Sequence, residues 1–240
     1  MGSCKLKVLG SSSKGNCYLL ECSDETLILE LGVSWEEILK GLNYDLKKVR
    51  ACLVSHHHLD HAKSIPNAIK NGVSVFSCEE VSTIHKGVKT LHKGFKKTIG
   101  GFVVIPLPLK HNCECYGYII KHKEFGKLVF ATDCLDFRYK VKDVNHWLIE
   151  CNHSEDLMID NMCNNIYSIS ASENHLEINK TIKALNANYS CVLQNIVLLH
   201  LSQGNADKNS FIGRVQEGVW FNNVFVAENG FELELNESEF

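Results

Sequence analysis

The feature of this chain that most constrains its fold is one six-residue segment, His56-His57-His58-Leu59-Asp60-His61. With alternate positions left open it is His-x-His-x-Asp-His, so four side chains of metal-binding types fall within six residues. The apolar run Ala51–Val54 precedes the segment and predicts a buried strand. Such a strand can present the first two donors at its end and the last two from the turn that follows.

Four donors from one short segment suit two neighbouring divalent ions rather than one closed structural site. The alternative is a histidine-rich surface loop that binds metal incidentally. Further candidate ligands argue against that alternative, because each follows a predicted strand. They are His111, Asp133 and His200. Taken singly, each of the three could instead be an ordinary surface, turn or core residue.

These residues predict two metal positions that share one carboxylate. An aspartate offers two oxygens and a full negative charge, so Asp133 can lie between two cations. The predicted ligands are His56, His58 and His111 for one ion and Asp60, His61 and His200 for the other. Histidine and carboxylate ligands fit zinc, which we favour, and they tolerate manganese. In such a centre Asp60 and Asp133 would also orient the nucleophile.

Two further histidines form a second tier of candidates. His153 ends the segment Glu150-Cys151-Asn152-His153 after a predicted strand, and His175 precedes a predicted helix. A helix N-terminus beside an imidazole is suited to holding a phosphate. Either histidine could contact a substrate or protonate a leaving oxygen. The alternative is that both are ordinary polar loop residues.

The composition is that of a globular protein with a substantial core. With 240 residues, of which 45% are hydrophobic, the chain predicts a single domain over residues 1–240. No apolar run approaches the roughly 20 residues that cross a bilayer, so no membrane partner is expected. The first residues lack the apolar stretch of a signal peptide, and we predict a cytoplasmic location. The oligomeric state stays open.

The 11 cysteines are odd in number and scattered, so they cannot all pair in disulfides. Most are predicted to be reduced thiols. The one close pair lies in Cys113-Glu114-Cys115. A soft metal site is one interpretation of this pair, and small buried apolar side chains are the interpretation that we favour.

Charge is unevenly distributed along the chain. The net charge is −3, so no global basic field indicates nucleic acid. Locally, residues 85–97 contain five lysines and no acidic residue, which could follow a phosphate backbone; a solvated face is an equal alternative. The segment after Ala227 contains five glutamates and neither Lys nor Arg, and its last residues are predicted to fray.

Short apolar runs rich in β-branched residues predict strands, and helical patterns lie between the later ones. The predicted strands are Leu6–Leu9, Cys17–Glu21, Thr26–Leu29, Ala51–Val54, Ser74–Phe76, Phe102–Pro106, Tyr116–Ile120, Leu128–Ala131, His146–Ile149, Asn195–Leu199 and Asn222–Ala227. The predicted helices are Trp35–Leu42, Ala62–Asn71, Ser154–Met162, Leu176–Ala187 and Lys208–Gln216. This order predicts an α/β chain with two mixed sheets sandwiched between helices, and ligands on loops along one edge.

The chain resembles the metallo-β-lactamase-fold hydrolases. Their metal-binding motif is matched by His56, His58, Asp60 and His61, and their later ligand motifs by His111, Asp133 and His200. Residues 9–18, 150–153, 174–176 and 200–205 are similar to a narrower group, the small bacterial and phage proteins related to an exonuclease associated with a cell-wall two-component system. The resemblance implies a four-layer αβ/βα sandwich, two divalent ions and phosphodiester hydrolysis. The substrate contacts predicted with it are His153, His175, Ser202 and Asn205.

Two positions depart from the family's pattern. Glu30 stands where the family usually has an aspartate that supports the ligand loop through hydrogen bonds, and a longer carboxylate could alter that support. Asn174 stands where the family often has a glycine before the second-tier histidine.

The favoured function is a dinuclear metal-dependent phosphodiester hydrolase, specifically a DNA exonuclease, in which hydroxide between the metals attacks phosphorus. His153 and His175 join Asp60 and Asp133 as predicted catalytic residues, and DNA is favoured over RNA as the substrate. One alternative is hydrolysis of a small thioester, lactone or cyclic phosphodiester, because one fold supports many chemistries. Another is a metal-stabilised nucleic-acid-binding protein without turnover.

Overall fold

Two seven-stranded sheets form the centre of the molecule. The computed structural model describes residues 4–162 and 174–236. In chain order the strands are β1 (Cys4–Ser12), β2 (Gly15–Glu21), β3 (Thr26–Leu29), β4 (Val49–Leu53), β5 (Val75–Ser77), β6 (Lys89–Thr90), β7 (Lys97–Ile99), β8 (Phe102–Leu109), β9 (Cys115–His122), β10 (Gly126–Ala131), β11 (His146–Glu150), β12 (Asn195–Leu199), β13 (Val224–Val226) and β14 (Glu232–Leu235).

Each sheet is antiparallel on one side and parallel on the other. The first has the order β14-β1-β2-β3-β4-β5-β6, with antiparallel pairing up to β3 and parallel pairing beyond it. The second has the order β13-β12-β11-β10-β9-β8-β7, with parallel pairing up to β10 and antiparallel pairing beyond it. The prediction of two mixed sheets is confirmed.

Helices cover the outer faces of both sheets. They are α1 (Trp35–Gly41), α2 (Leu59–Ala62), α3 (Ile65–Lys70), α4 (Glu79–Ile84), α5 (Glu155–Met162), α6 (Ile178–Ala187) and α7 (Lys208–Val219). Ile38, Ile65 and Val81 of α1, α3 and α4 belong to the core cluster of the first sheet. Leu185 of α6 and Phe211 of α7 pack against the second sheet. The predicted four-layer sandwich is therefore confirmed.

The inner faces of the sheets meet through large apolar side chains. The fully buried rings of Tyr18 and Phe130 pack edge to face across the two sheets, with centroids 5.6 Å apart. The hydroxyl of Tyr118 donates a hydrogen bond to the carbonyl oxygen of Val54 at 2.5 Å, which links β9 to the end of β4. One core cluster thus contains strands of both sheets. One domain over residues 1–240 stays a prediction.

Two details differ from the sequence-based expectations. The predicted helix Ala62–Asn71 is two short helices, because Pro66 lies in the first turn of α3 and has no N–H to continue α2. Glu232 and Glu234 lie in β14, a strand that was not predicted, within 3.1 and 3.7 Å of Lys5 Nζ on β1. The predicted fraying of the last residues stays a prediction. Residues 237–240 lie outside the described residues.

The basic run at residues 85–97 crosses from one sheet to the other. It contains β6 and the start of β7, the edge strands of the two sheets, neither of which was predicted. No helix among the described residues has the length and apolar character needed to cross a membrane.

Phe130→Ala should lower the free energy of unfolding by about 3–5 kcal/mol, because it removes a fully buried ring and leaves a cavity between the sheets. Phe95→Ala is the matched control, since that ring is 73% exposed, and it should change stability by no more than about 0.5 kcal/mol. Urea unfolding followed by circular dichroism measures both. Equal losses in the two variants would contradict an inter-sheet core at Phe130.

Candidate metal centre

Four strands that end at the same edge of the sandwich deliver the predicted ligands. The segment His56–His61 follows β4 in the first sheet. His111, Asp133 and His200 follow β8, β10 and β12 in the second sheet, and these three strands run in the same direction. Strand direction alone therefore brings distant parts of the sequence to one edge.

The carboxylate of Asp133 lies at the centre of this edge. Its Oδ2 is 3.9 Å from both His56 Nε2 and His111 Nε2. Its Oδ1 is 3.3 Å from His61 Nε2 and 4.0 Å from His200 Nε2. Oδ2 also lies 3.9 Å from His175 Nδ1. The two oxygens thus face different sets of imidazoles, which is the arrangement expected of a carboxylate shared by two cations.

The predicted ligands fall into two groups in which all donor atoms lie within 4.8 Å of one another, and Asp133 and His200 form a further such group with Glu150 and His175. One group is His56, His58, His111 and Cys113, and the other is Asp60, His61, Asp133 and His200. In the first, His56 Nε2 lies 2.9 Å from His58 Nδ1. In the second, Asp60 Oδ2 lies 3.2 Å from His61 Nε2 and 3.6 Å from His200 Nε2. The grouping matches the two predicted ligand sets, with Cys113 added.

Contacts behind the histidines set the direction of each ring. His56 Nδ1 lies 2.8 Å from Ser55 Oγ, and His111 Nδ1 donates a hydrogen bond to the carbonyl oxygen of Asn174 at 3.1 Å. With Nδ1 engaged, the Nε2 atom of each ring faces Asp133. Such outer contacts orient metal-binding histidines in proteins generally.

Glu30 supports His61 from the loop after β3. Its carboxylate is fully buried, accepts the N–H of Ser55 at 3.1 Å, and has Oε2 3.3 Å from His61 Nδ1. The same loop packs on α2, where a Cβ at Gly32 would come 1.6 Å from the carbonyl oxygen of Asp60. The longer carboxylate that stands in place of the family's aspartate therefore reaches the ligand segment.

Glu150 supports His200 on the other side of the centre, as Glu30 supports His61. This fully buried residue ends β11, and its Oε1 lies 3.4 Å from His200 Nδ1. Its Oε2 accepts the N–H of Cys134 at 2.8 Å and that of Leu176 at 3.1 Å. Asn152 adds a hydrogen bond from Nδ2 to the carbonyl oxygen of His200. One carboxylate thus connects the loops that carry Asp133, His175 and His200.

Three residues of this edge have left-handed backbone conformations. The φ angles are 65° at Glu30, 47° at Asp133 and 54° at His200. Such angles are uncommon outside glycine and cost of order 1–3 kcal/mol when the surroundings enforce them. Strain of this kind often accumulates at functional sites.

Opposite charges dominate the second group. Burial alone would lower the pKa of His61, but Asp133 and Glu30 raise it well above its usual value. Burial is likewise outweighed at His200, where Asp133, Asp60 and Glu150 raise the pKa to about 10. Burial would raise the pKa of Asp133, yet His200 and His61 hold it well below its usual value. Without a cation, these histidines carry the positive charge that the carboxylates require.

In the group of His56, His58 and His111, the neighbouring carboxylates do not outweigh the effect of burial on the histidine pKa values. Burial lowers the pKa of His56, His58 and His111, so their rings are neutral near pH 7 and have free nitrogen lone pairs. Among the described residues, His111 Nε2 and His200 Nε2 are buried without a hydrogen-bond partner. Buried polar atoms are rarely left unpaired. Neutral imidazoles, an orphaned nitrogen in each group and a shared carboxylate therefore fit two divalent cations.

The two second-tier histidines differ in environment. His175 is 20% exposed, and Glu150 Oε1 accepts a hydrogen bond from its Nδ1 at 2.6 Å. Burial would lower the pKa of His175, but Glu150 raises it. His153 is 2% exposed, and burial lowers its pKa to about 4. Its ring is therefore neutral near pH 7 and offers little surface to a substrate.

A cavity of about 500 Å³ lies along the loops beside His200, and Ser202 contributes to its wall. Lys14, Lys63 and Lys208 also line it, together with Glu37 and Glu228. Ser11, another lining residue, accepts the backbone N–H of His200 on its Oγ at 3.0 Å. Asn205 is only 7% exposed, and its carbonyl accepts the N–H of Ser154. Ser202 thus lies on the wall of the cavity, whereas the backbone of Asn205 connects its loop to Ser154.

Sequence reasoning missed several residues that hold the centre together. Glu150 lies in the segment Glu150-Cys151-Asn152-His153, from which sequence reasoning singled out only His153. No local sequence pattern indicates that the carboxylate of Glu150 is buried. Ser55, Asn152 and Ser11 act through single hydrogen bonds that only the folded chain reveals. Cys113 was noted for its pair with Cys115, yet its Sγ lies with three histidines instead. Burial and the charge of Glu80 raise the pKa of the Cys113 thiol to about 12.

Loading the metal-free protein with zinc near pH 7 should release protons, because the cation displaces the protons that His61 and His200 hold. Zinc affinity should therefore rise with pH up to about 10, the raised pKa of His200 in the metal-free protein. Calorimetry in buffers of different ionisation enthalpy counts the protons, and His200→Gln should release fewer. Zinc uptake without proton release would contradict this charge arrangement.

Comparisons with known proteins agree with this geometry. The family model described as Metallo-beta-lactamase superfamily matches residues 12–72, which include the first ligand segment. The exodeoxyribonuclease WalJ of Streptococcus pneumoniae, from strains D39 and R6, is 26% identical over 173 residues. The match covers 64% of this chain and 64% of the length of WalJ.

Two solved structures are similar over nearly the whole chain. The metallo-beta-lactamase fold protein YhfI from Bacillus subtilis has a TM-score of 0.75 and 16% identity, with 97% of this chain and 99% of that chain covered. The short form of human tRNase Z has a TM-score of 0.69 and 13% identity, with 96% and 99% covered. Identities this low show the fold alone. The chain therefore carries a metallo-β-lactamase sequence signature in residues 12–72 and has the metallo-β-lactamase fold, which implies divalent metal ions.

Proposed function

We propose that this protein is a dinuclear metal-dependent phosphodiester hydrolase that acts on nucleic acid, with DNA exonuclease as its activity. One observation carries the proposal: the two oxygens of Asp133 face two separate groups of ligating side chains. A structural zinc site would close four ligands around one ion. Two open positions that share a carboxylate instead suit an in-line displacement at phosphorus.

In this proposal each side chain of the centre has one task. His56, His58 and His111 would hold one cation, Asp60, His61 and His200 would hold the other, and Asp133 would be shared between them. When bound, the cations would lower the pKa of a water molecule and neutralise charge on the phosphoryl oxygens. Glu30 and Glu150 keep the rings of His61 and His200 in position.

His175 is the residue best placed to protonate the leaving oxygen. Its Nδ1 is occupied by Glu150 at 2.6 Å, so Nε2 is the nitrogen that can reach a substrate. The raised pKa of His175 favours the protonated form that a general acid needs. His153 lacks both the exposure and the raised pKa, so we assign the acid role to His175 and leave His153 a supporting one.

The cavity beside His200 is open and polar, with a small excess of positive charge. Lys14, Lys63 and Lys208 line it together with Glu37 and Glu228, and Lys208 is paired with Glu228. A closed apolar pocket would instead favour a small ester or lactone. The name of the WalJ relative supports DNA, and the tRNase Z neighbour makes RNA the rival nucleic acid. Because the chain spans 64% of the length of WalJ, the relative's activity is a proposal for this chain.

The first assay is incubation of the purified, metal-analysed protein with end-labelled single- and double-stranded DNA and RNA, in zinc or manganese. Stepwise shortening of DNA is the expected result. No cleavage despite two bound metals per chain would favour the small-ester or cyclic-phosphodiester alternative. Binding of DNA without any turnover would favour the non-catalytic alternative.

Asp133→Asn should reduce this cleavage by at least about a hundredfold, because the amide keeps the shape of the side chain but removes the charge that both cations share. Asn also tolerates the left-handed backbone of residue 133. Asp143→Asn is the matched control, since Asp143 is exposed and has a similar φ of 53°. Wild-type activity in Asp133→Asn would overturn the assignment of the centre.

His175→Gln should slow DNA cleavage by about 10²–10⁴-fold through loss of the proton donor. The loss should be much smaller with bis(p-nitrophenyl) phosphate, whose leaving group needs no proton. Glu150→Gln should show the same contrast in weaker form, because Glu150 sets the protonation of His175. An equal loss on both substrates would indicate that His175 only maintains the structure of the site.

A further inference from the structure

Cys113 lies where a further ligand of the first metal position would be, beside its three histidines and the shared carboxylate of Asp133. Its Sγ and the donor nitrogens of His56, His58 and His111 all lie within 4.8 Å of one another. The residue is half-buried in the loop between β8 and β9, two positions after His111. The loop that delivers the third histidine of this group therefore delivers a thiol to the same place.

Imidazole nitrogen and thiolate sulfur are both donors that zinc accepts in one site. Zinc binds imidazole nitrogen at about 2.0–2.1 Å and thiolate sulfur at about 2.3 Å, so four donors around it lie roughly 3.5 Å apart. A second observation points into the same space. The His111 side chain is 2% exposed, and its Nε2 has no hydrogen-bond partner among the described residues. The nitrogen and the sulfur thus converge on a common volume.

We propose that Cys113 is a thiolate ligand of the cation held by His56, His58 and His111, and that it makes this position select zinc over manganese. The inference rests on the proposed dinuclear centre and adds the metal preference of one half. Binding forms a metal–sulfur bond and releases the thiol proton to solvent, with no change of oxidation state. Thiolate ligands favour zinc, whereas manganese prefers oxygen donors.

The two halves of the centre then differ in chemistry. The other position offers Asp60, His61, His200 and the shared Asp133, which are nitrogen and oxygen donors only. Such a set accepts zinc or manganese. A protein supplied with both metals should therefore hold zinc in the first position and exchange the metal in the second.

Two rival sites could also use a cysteine. Cys113 is also grouped with His57, which follows β4, and with Glu80 of α4. Cys22 is grouped with His122 and Glu124, at the strand ends opposite the metal centre. Any test of Cys113 must separate these sites from the proposed one.

The test is absorption spectroscopy of the full-length protein loaded with cobalt(II). A thiolate bound to cobalt(II) gives an intense near-ultraviolet charge-transfer band that histidine and carboxylate ligands do not give. Cys113→Ser and Cys113→Ala should lose this band, whereas Cys22→Ser and Glu80→Gln should keep it. His111→Gln should weaken it, because His111 shares the proposed position with Cys113.

Metal competition supplies the second measurement. Wild-type protein dialysed against equal zinc and manganese should retain at least one zinc per chain. Cys113→Ser should lower the zinc preference of that position by at least about tenfold. Thermal unfolding of the metal-free variants checks that both serine substitutions leave the fold intact.

A cobalt band that survives in both Cys113 variants, or that disappears in Cys22→Ser or Glu80→Gln, would overturn the proposal. So would an unchanged zinc preference in Cys113→Ser. These results are independent of nuclease activity. A chain that binds two cobalt ions without the band but cleaves DNA keeps the proposed function and loses the Cys113 ligand. A chain that shows the band but does not cleave DNA keeps the Cys113 ligand and loses the proposed function.

Discussion

The buried carboxylate of Asp133 is the constraint on which the rest of the structure depends. A negative charge that is 2% exposed is costly unless positive charge or strong hydrogen bonds compensate it. The chain places five imidazoles around the two oxygens: His61 and His200 at Oδ1, and His56, His111 and His175 at Oδ2. In the metal-free protein, protonated His61 and His200 supply the compensation. Cations can replace those protons, so one arrangement serves both states.

This arrangement needs a second layer of buried charge. Glu30 and Glu150 are fully buried. Each carboxylate accepts a hydrogen bond from a backbone N–H and also lies beside the Nδ1 atom of a histidine, His61 for Glu30 and His200 for Glu150. Without them the rings of His61 and His200 could turn away from Asp133. The left-handed backbone at Glu30, Asp133 and His200 is a further cost. The sandwich of two sheets, with its continuous apolar core, supplies the stability that offsets these costs.

The two halves of the centre are chemically unequal. One contains three neutral imidazoles and a nearby thiol, and the other contains two carboxylates and two histidines with raised pKa values. The Glu150–His175 pair adjoins the carboxylate-rich half, because Glu150 also contacts His200. Glu150 thus contacts both a candidate metal ligand and the proposed proton donor. In the proposed function, a phosphodiester at this centre would contact the cations and the proton donor together.

Local sequence was sufficient for most strands, because apolar β-branched runs leave a strong pattern; Thr26–Leu29 and Asn195–Leu199 have the predicted bounds. Prediction from local sequence failed at Pro66, which interrupts the helical pattern between α2 and α3. It also missed β14, because that strand forms by pairing with the distant strand β1.

The sequence by itself determined the donors, since the spacing of His56, His58, Asp60 and His61 carries their chemistry and strand ends mark His111, Asp133 and His200. Only the tertiary structure decided which oxygen of Asp133 faces which histidines, and that Glu30, Glu150 and Cys113 join them. The physical reason is that these contacts join residues far apart in the chain. Strand order and direction set their distances, and no local pattern of residues encodes them.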